Sequence, residues 1–199
     1  MSTAVMTERI AEASPQFQAR IAGVFYLLTF LAGGAALFIR GGLGLALVLI
    51  ASVSYVAVTL LFYYIFKLVN RRLSLLAAVL SLMGCAIGVV TSLISPLVFF
   101  GFYCLLIGYL IFRSTFLPQI LGVLMAFAGL GWLTFLWPPL ANSLSPYNMV
   151  PGLVGEGALT LWLLVVGVKE QRWNEQATQL GTAIAAYKEQ GKQISKHQL

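Results

Sequence analysis

Acidic residues are few in this 199-residue chain, and histidine is almost absent. There is no aspartate, the six acids are all glutamates, and the lone histidine, His197, stands near the C-terminus. Metal sites need clustered histidine, cysteine or carboxylate ligands, and paired-carboxylate catalysis needs two acids in one place. The apolar segments supply no histidine and one acid, so we predict no metal and no cofactor. The two cysteines, Cys85 and Cys104, lie in apolar runs and are expected to be small buried groups rather than a disulfide.

Charged residues are also scarce, at 9% of the chain, against about 25% in an average globular domain. Hydrophobic residues make up 60%, and the mean hydropathy is +0.92. A net charge of +6 can indicate nucleic-acid binding. Here the basic residues lie at the ends of apolar runs rather than on one soluble face, so we predict no nucleic-acid partner. The composition indicates a chain embedded in a lipid bilayer.

Six apolar runs are long enough to cross a bilayer, whose hydrocarbon core of about 30 Å takes roughly 20 helical residues. No charge occurs from Leu73 to Phe112. One helix of that length would measure about 60 Å, so we predict a break at Ser95-Pro96, because proline is tolerated where a helix starts. The predicted spans are 21–39, 44–69, 73–95, 97–112, 120–137 and 150–168. This is an all-α integral membrane bundle of six transmembrane helices with short loops.

The basic residues predict the orientation of this bundle. With six crossings, both termini lie on one side of the membrane, and every basic residue except Arg40 then falls on that side. Positive residues are retained in the cytoplasm. We therefore predict a cytoplasmic N-terminal segment over 1–19, a transmembrane domain over 20–168 and a cytoplasmic tail over 169–199.

One acid, Glu156, lies inside an apolar run, "PGLVGEGALTLWLLVVGV" over 151–168. A charged group at the centre of a span costs about 3 kcal/mol on insertion scales, and such groups usually mark a pathway or a buried partner. Gly152 and Thr160 lie one turn to either side of it on the same helix. Counting inward from the outer ends of the predicted spans puts Tyr103 at the same depth. The face that carries Glu156 is therefore expected to point into the bundle.

Two roles for Glu156 are open from the sequence. In a functional role it would carry a proton or anchor a cationic or hydroxylated ligand, and the other candidate site residues are Tyr103, Thr160 and the slightly deeper Ser52 and Tyr55. In a structural role it would be a neutral carboxyl that donates one hydrogen bond to a neighbouring helix, because burial disfavours the charged form. Tyr103 or Ser52 is the predicted hydrogen-bond partner.

Small residues recur inside the spans. Gly84 and Gly88 form the pair in "GCAIG", Gly101 and Gly108 stand two turns apart, and Gly152 precedes Glu156. Glycine lets helix backbones approach closely in membranes. We predict that these five glycines pack helices of the same chain together, with contact to a second copy as the alternative.

The tail differs in kind from the spans. Apolar residues recur there at helical spacing, and three lysines stand one turn apart beside them. The apolar positions are Trp173, Ala177, Leu180, Ile184, Tyr187 and Ile194, and the lysines are Lys188, Lys192 and Lys196. The pattern predicts an amphipathic helix on the anionic inner leaflet. A partner-binding helix and a frayed solvated tail are the alternatives, since Gly181 and Gly191 weaken a helix.

Three stretches carry a family resemblance. "RIAGVFYLLTFLAG", "FGFYCLLIGYLIFRSTFLPQILGVLMAFAGLGWL" and "GEGALTLWLLVVGV" follow one another in order. Together they resemble the bacterial multi-pass membrane family called domain of unknown function 4386, of which this chain looks like a shortened member. The resemblance implies a membrane bundle, in a bacterial inner (plasma) membrane, and no established chemistry.

These observations leave three classes of function. Our prediction is a non-catalytic membrane protein, either an accessory subunit or a structural bundle. The alternative is a small transporter or permeation bundle that uses Glu156, and the third class is a membrane-embedded enzyme acting on a lipid. The expected partners are the lipid bilayer and either another protein or a second copy of the chain. The shape of the space around Glu156 discriminates these classes.

Overall fold

The computed structural model describes residues 14–90 and 95–182, and this part of the chain is helical, without strands. The helices in these residues are α1 Pro15–Ala36, α2 Gly42–Val90, α3 Pro96–Arg113, α4 Gln119–Leu133, α5 Pro138–Leu144, α6 Val150–Val165 and α7 over 170–182. Short 3-10 turns at Thr134–Leu136 and Tyr147–Met149 extend α4 and precede α6.

Within the described residues, five helical segments are long and apolar enough to cross a membrane. They are Pro15–Ala36, Gly42–Gly88, Pro96–Arg113, Gln119–Leu136 and Tyr147–Val165. Many large apolar side chains on their outer sides are exposed, among them Leu31, Val53 and Val165 at 62%, 69% and 73%. Exposed apolar surface on this scale is matched by lipid rather than by water. The chain is therefore a helical membrane protein, as the composition predicted.

The longest helix, α2, is interrupted at Asn70, whose backbone is extended with φ −158° and ψ 107°. The Asn70 side chain accepts hydrogen bonds of 3.1 Å from the backbone N–H groups two and three residues later, which caps the helix that follows. The hydroxyls of Thr59 and Ser81, equally far from Asn70 along the chain, share a hydrogen bond of 2.5 Å. The two halves, α2a (42–69) and α2b (71–90), therefore lie side by side as a hairpin.

The helix boundaries differ from the predicted spans by a few residues, for local reasons. α1 begins at Pro15 rather than at residue 21, because the Ser14 hydroxyl accepts a hydrogen bond from the backbone N–H of Phe17 and starts the helix earlier. α3 begins at Pro96, next to the predicted position. α6 ends at Val165 rather than at residue 168, because Gly167 adopts φ +73°, which a helix cannot continue.

The segment between α4 and α6, where the sequence predicted only a short loop, contains regular structure. It contains the short helix α5 and the turn at Tyr147–Met149. Asn148 is buried, and its side-chain amide donates hydrogen bonds of 3.3 Å to the Thr134 hydroxyl and to the Ala141 carbonyl. These bonds hold the segment against the end of α4.

Helices α3 and α4 pack backbone against backbone through four glycines. A Cβ atom built on Gly108 would lie 2.7 Å from the Gly122 carbonyl oxygen, and one built on Gly122 would lie 2.7 Å from the Gly108 carbonyl oxygen. Gly101 and Gly129 repeat this arrangement two turns away, where a Cβ on Gly129 would lie 2.8 Å from the Gly101 carbonyl oxygen. The interface therefore has no room for a side chain at these positions.

One end of the bundle, which we call the closed end, is formed by residues 14–20, 63–74, 113–119 and 165–177. The Gln16 side chain donates to the Val166 carbonyl at 2.7 Å and accepts from the Val168 N–H at 2.8 Å. The turn after α3 also folds inward here, and Phe116 is 1% exposed. Polar bonds and buried rings together join the first and last segments of the bundle.

Helix α7 is the described part of the predicted amphipathic tail. The Trp173 indole donates to the Ile65 carbonyl at 3.4 Å, and the Gln176 side chain accepts from the Thr115 hydroxyl at 3.2 Å. The start of the apolar stripe thus rests on the closed end, while Leu180 is 38% exposed. The rest of the stripe and the three tail lysines lie outside the described residues.

Candidate functional site

Glu156 lies on α6 and is 5% exposed. Its two carboxyl oxygens accept hydrogen bonds from different helices. The Tyr26 hydroxyl on α1 donates to Oε2 at 2.6 Å, and the Trp132 indole N–H on α4 donates to Oε1 at 2.5 Å. The acid therefore connects three helices, and an indole N–H can only donate, so Oε1 acts as an acceptor.

The close approach of Trp132 depends on a glycine. Its indole ring packs directly against Gly152, one turn before Glu156 on α6, and a Cβ at that position would overlap the ring. A larger residue at 152 would push the indole N–H away from the carboxyl. Gly152 therefore positions the donor, in addition to letting α4 and α6 approach.

The predicted hydrogen-bond partners of Glu156 are wrong: the donors are Tyr26 and Trp132, not Tyr103 or Ser52. Tyr103 is nevertheless close by, since its ring lies 5.8 Å from that of Tyr55, which in turn lies 5.6 Å from that of Tyr26. The hydroxyls of Tyr55 and Tyr103 are buried and make no hydrogen bond within the described part of the chain. The depth count brought these tyrosines to the right level but did not identify which group faces the acid.

Thr160, Cys104 and Gly84 are three further residues near the site. The Thr160 hydroxyl donates to the Glu156 backbone carbonyl at 2.8 Å, so it is used within its own helix. The thiol of Cys104 lies beside the carboxyl, and both cysteines are free. Among the predicted packing glycines, Gly84 lies against the ring of Phe100, which is 2.9 Å from a Cβ built there.

A cavity of about 420 Å³ extends from Glu156 toward the end of the bundle opposite the closed end. We call this the cavity end. The cavity is lined by Thr29, Phe30, Gly33, Val48, Ala51, Ser52, Tyr55, Gly84, Cys85, Gly88, Pro96, Leu97, Phe100, Trp132 and Glu156. Ser52, Tyr55 and Glu156, which were selected from the sequence, thus line the cavity together with Trp132, and Tyr103 does not line it.

The other side of Glu156 is filled. Between it and the closed end lie large buried side chains that are less than 3% exposed, among them Phe62, Phe66, Ile107 and Leu163. The ring of Tyr26 stands 6.0 Å from that of Phe62, which continues the packing toward Phe66 at 5.7 Å. The cavity therefore ends at the level of Glu156 in this conformation.

Tyr26 and Trp132 were missed by the sequence interpretation, although a signal existed for one of them. Trp132 lies five residues before Trp137, which ends the predicted fifth span, so a depth count there would have placed an obligatory donor near the level of Glu156. Tyr26 lies deeper in the first span by the same count, so the depth of its backbone did not indicate its contact with Glu156. Within the described residues, no three histidine, cysteine or acidic side chains lie together as a metal site would require.

Comparison with known proteins gives one match. A family model described as a domain of unknown function, DUF4386, matches residues 91–167, a segment that contains both Trp132 and Glu156. Searches of curated proteins and of solved structures give no match. The resemblance predicted from the sequence to the family called domain of unknown function 4386 is thus confirmed over residues 91–167, and the first of its three stretches, at 20–33, lies outside the matched segment.

Proposed function

We propose that this protein is a six-span membrane protein that binds a small, largely apolar molecule in the cavity that ends at Glu156. The proposed function is non-catalytic, but it is neither the accessory subunit nor the structural bundle predicted first, and it uses the acid that the transporter alternative invoked. The observation that carries it is the cavity of about 420 Å³ beside a buried acid. Pockets of about 300–1,000 Å³ with mostly apolar walls and a few converging polar groups are typical ligand sites.

Six crossings follow if each half of α2 is counted as a span. The hairpin about Asn70 supports this count, because the hydroxyl contact between Thr59 and Ser81 requires the halves to run beside each other. A straight helix of 49 residues would be about 70 Å long, more than twice the hydrocarbon core. The exposed apolar side chains of both halves would then face lipid.

The proposed orientation places the closed end in the cytoplasm, together with both termini, and the cavity end outside. Lys67, Arg71, Arg72 and Arg113 belong to the segments that form the closed end, while Arg40 follows α1 at the opposite end. This asymmetry is the one that positive residues create in bacterial inner membranes.

The orientation can be tested by labelling single cysteines on intact cells. In a background with Cys85→Ser and Cys104→Ser, we expect Arg40→Cys to react with a membrane-impermeant maleimide and Arg113→Cys to react only after the cells are permeabilised. Reaction of the position-113 cysteine in intact cells, with protection at position 40, would invert the proposed orientation and move the cavity mouth to the cytoplasmic side.

A purely structural role for Glu156 gives no reason for the cavity. Membrane helices gain stability from close packing, and empty space beside a buried carboxyl forfeits contacts that a larger residue would make. Gly33 and Gly88 both line the space, and a Cβ built on Gly33 would meet only Ala51, at 3.9 Å. The sequence thus places the smallest residue where a larger one would fit. The filled core beyond Glu156 gives a permeation pathway less support than a binding site.

The test of binding uses a fluorescent apolar probe and two matched variants. 1-Aminoanthracene fluoresces more strongly in apolar sites, and it would be titrated into the protein in lipid nanodiscs. We expect a saturable fluorescence increase that Gly33→Leu abolishes by filling the cavity. Gly34→Leu is the control, because Gly34 does not line the cavity and a Cβ there meets nothing within 4 Å. A linear, non-saturable increase that is equal in wild type and both variants would refute a ligand-binding cavity.

A further inference from the structure

The walls of the cavity combine aromatic rings with one acid. Four of its lining residues are aromatic, namely Phe30, Tyr55, Phe100 and Trp132, and they share the cavity with Glu156. Tyr55 and Phe100 are in edge contact, with ring centroids 4.9 Å apart and planes inclined by 64°. Two differently oriented rings that line the cavity are therefore in contact with each other. Aromatic faces attract cations, most strongly where water is excluded.

Among the residues that the structure describes, no positive side chain lines the cavity beside the acid, since the lining includes no lysine, arginine or histidine. The one ion pair found in the described residues, between Arg172 and Glu175 at 3.7 Å, lies on α7 at the closed end. A carboxylate at position 156 would keep its hydrogen bonds from Tyr26 and Trp132, but its charge would have no counter-ion.

What Glu156 itself offers a ligand is therefore charge, while the Tyr55 hydroxyl, which lines the same cavity and makes no hydrogen bond within the described part of the chain, offers a separate polar contact. Both carboxyl oxygens already accept short hydrogen bonds, so a hydroxylated ligand would compete with donors that are held in place by the fold. A quaternary ammonium group needs no hydrogen bond, only a negative charge and aromatic faces. The apolar lining by Val48, Ala51 and Leu97 suits a hydrocarbon body attached to such a group.

We propose that the cavity binds a small organic cation, an ammonium group carried on an apolar body, with the ammonium beside Glu156 and among the four aromatic rings. This inference rests on the proposed binding function and names its ligand class. The mouth at the cavity end admits the ligand, Glu156 supplies the charge, and the rings exclude inorganic cations, which would have to shed their water against apolar walls.

The test compares two probes of the same shape and different charge. Benzyltrimethylammonium and neopentylbenzene differ only in having nitrogen or carbon at the branching atom. Binding would be measured in nanodiscs as ligand-induced stabilisation against heat, followed by intrinsic tryptophan fluorescence. Alkylation of Cys85 by N-ethylmaleimide, read by mass spectrometry, would report occupancy, because Cys85 lines the cavity while Cys104 is fully buried. We expect the cation to stabilise the protein and to protect Cys85, and its affinity to exceed that of the neutral probe by about tenfold or more.

Two variants test whether Glu156 is responsible for the preference for the cationic probe. Glu156→Gln keeps the shape and removes the charge, and it should equalise the affinities of the two probes. Glu170→Gln removes an exposed acid on α7 and should leave the preference for the cation intact. Equal binding of both probes to wild type, or preferential binding of neopentylbenzene, would overturn the cation assignment while leaving a binding cavity in place. Absence of Cys85 protection by either probe, together with a non-saturable 1-aminoanthracene signal, would instead overturn the proposed function itself.

Discussion

The two ends of the bundle are built on opposite principles. At the closed end, helices far apart in sequence are joined by side-chain to backbone hydrogen bonds, such as those of Gln16 with Val166 and Val168. The ring of Phe116 also packs inward there, 5.9 Å from that of Phe66. At the cavity end, the same helices are held around a space, and their polar groups converge on a single acid.

This difference shows how a small bundle can be both stable and hollow. The glycine contacts between α3 and α4 and the bonds of the closed end fix the helix positions. Glu156 then receives two donors from α1 and α4 without any need for the cavity walls to touch one another. A site on rigid helices keeps its geometry better than one on loops. The packed half thus provides the rigidity that the hollow half lacks.

The largest expected effect on stability comes from comparing a glycine-to-leucine substitution in the packed half of the bundle with the same substitution in the hollow half. Gly108→Leu forces a side chain against the Gly122 carbonyl oxygen, 2.7 Å from the first atom added. We expect a loss of roughly 3 kcal/mol in the free energy of unfolding, or no folded protein, since the opposing atom belongs to a backbone that cannot move aside. For Gly33→Leu, in the hollow half, we expect a free energy of unfolding within about 0.5 kcal/mol of that of the wild type. Thermal unfolding in detergent measures both, and equal sensitivity at the two positions would contradict the division into packed and hollow halves.

A smaller effect is expected from removing the acid that joins the two halves. Glu156→Leu leaves the Tyr26 hydroxyl and the Trp132 indole N–H without their acceptor, which should cost roughly 2 kcal/mol. Glu156→Gln offers an oxygen to Trp132 and an amide group to Tyr26, whose hydroxyl can accept as well as donate. We therefore expect the glutamine variant to unfold close to wild type. Should glutamine prove as destabilising as leucine, the carboxylate itself would be needed for folding, and the site would be structural.

Much of the fold follows from local signals in the sequence. Apolar runs of membrane length predicted the helical class, and Ser95-Pro96 predicted where α3 begins, because proline favours a helix start. The break at Asn70 was also predicted, since the second predicted span ends at 69 and the third begins at 73. These features depend on the chain near each residue, so composition and spacing suffice to find them.

The approximate depth of the site residues in the membrane could be predicted from the sequence, but the hydrogen-bond donors to Glu156 could not. Counting along the spans put Tyr103 at the depth of Glu156 and placed Ser52 and Tyr55 slightly deeper. Ser52 and Tyr55 line the cavity with the acid, and Tyr103 does not. Which side chain reaches the acid depends on the rotation of each helix about its axis and on which helices are neighbours. Those are fixed by tertiary contacts such as Gly152 against Trp132. An apolar run carries little rotational information, since its residues are apolar on every side, and the pairing with Tyr26 could not be read from it.

The smallest of these effects concerns the bonds that fasten the closed end. Gln16→Ala removes a donor to the Val166 carbonyl and an acceptor for the Val168 N–H. Hydrogen bonds between membrane helices average less than 1 kcal/mol each, so we expect a loss of about 1 kcal/mol. Gln119→Ala is the matched control, because Gln119 is exposed at the start of α4. Since the cavity lies at the other end, the Gln16 variant should keep the saturable 1-aminoanthracene signal while unfolding at a lower temperature. If it lost the probe signal without losing stability, the two ends would be coupled, and the closed end would control the cavity rather than merely support it.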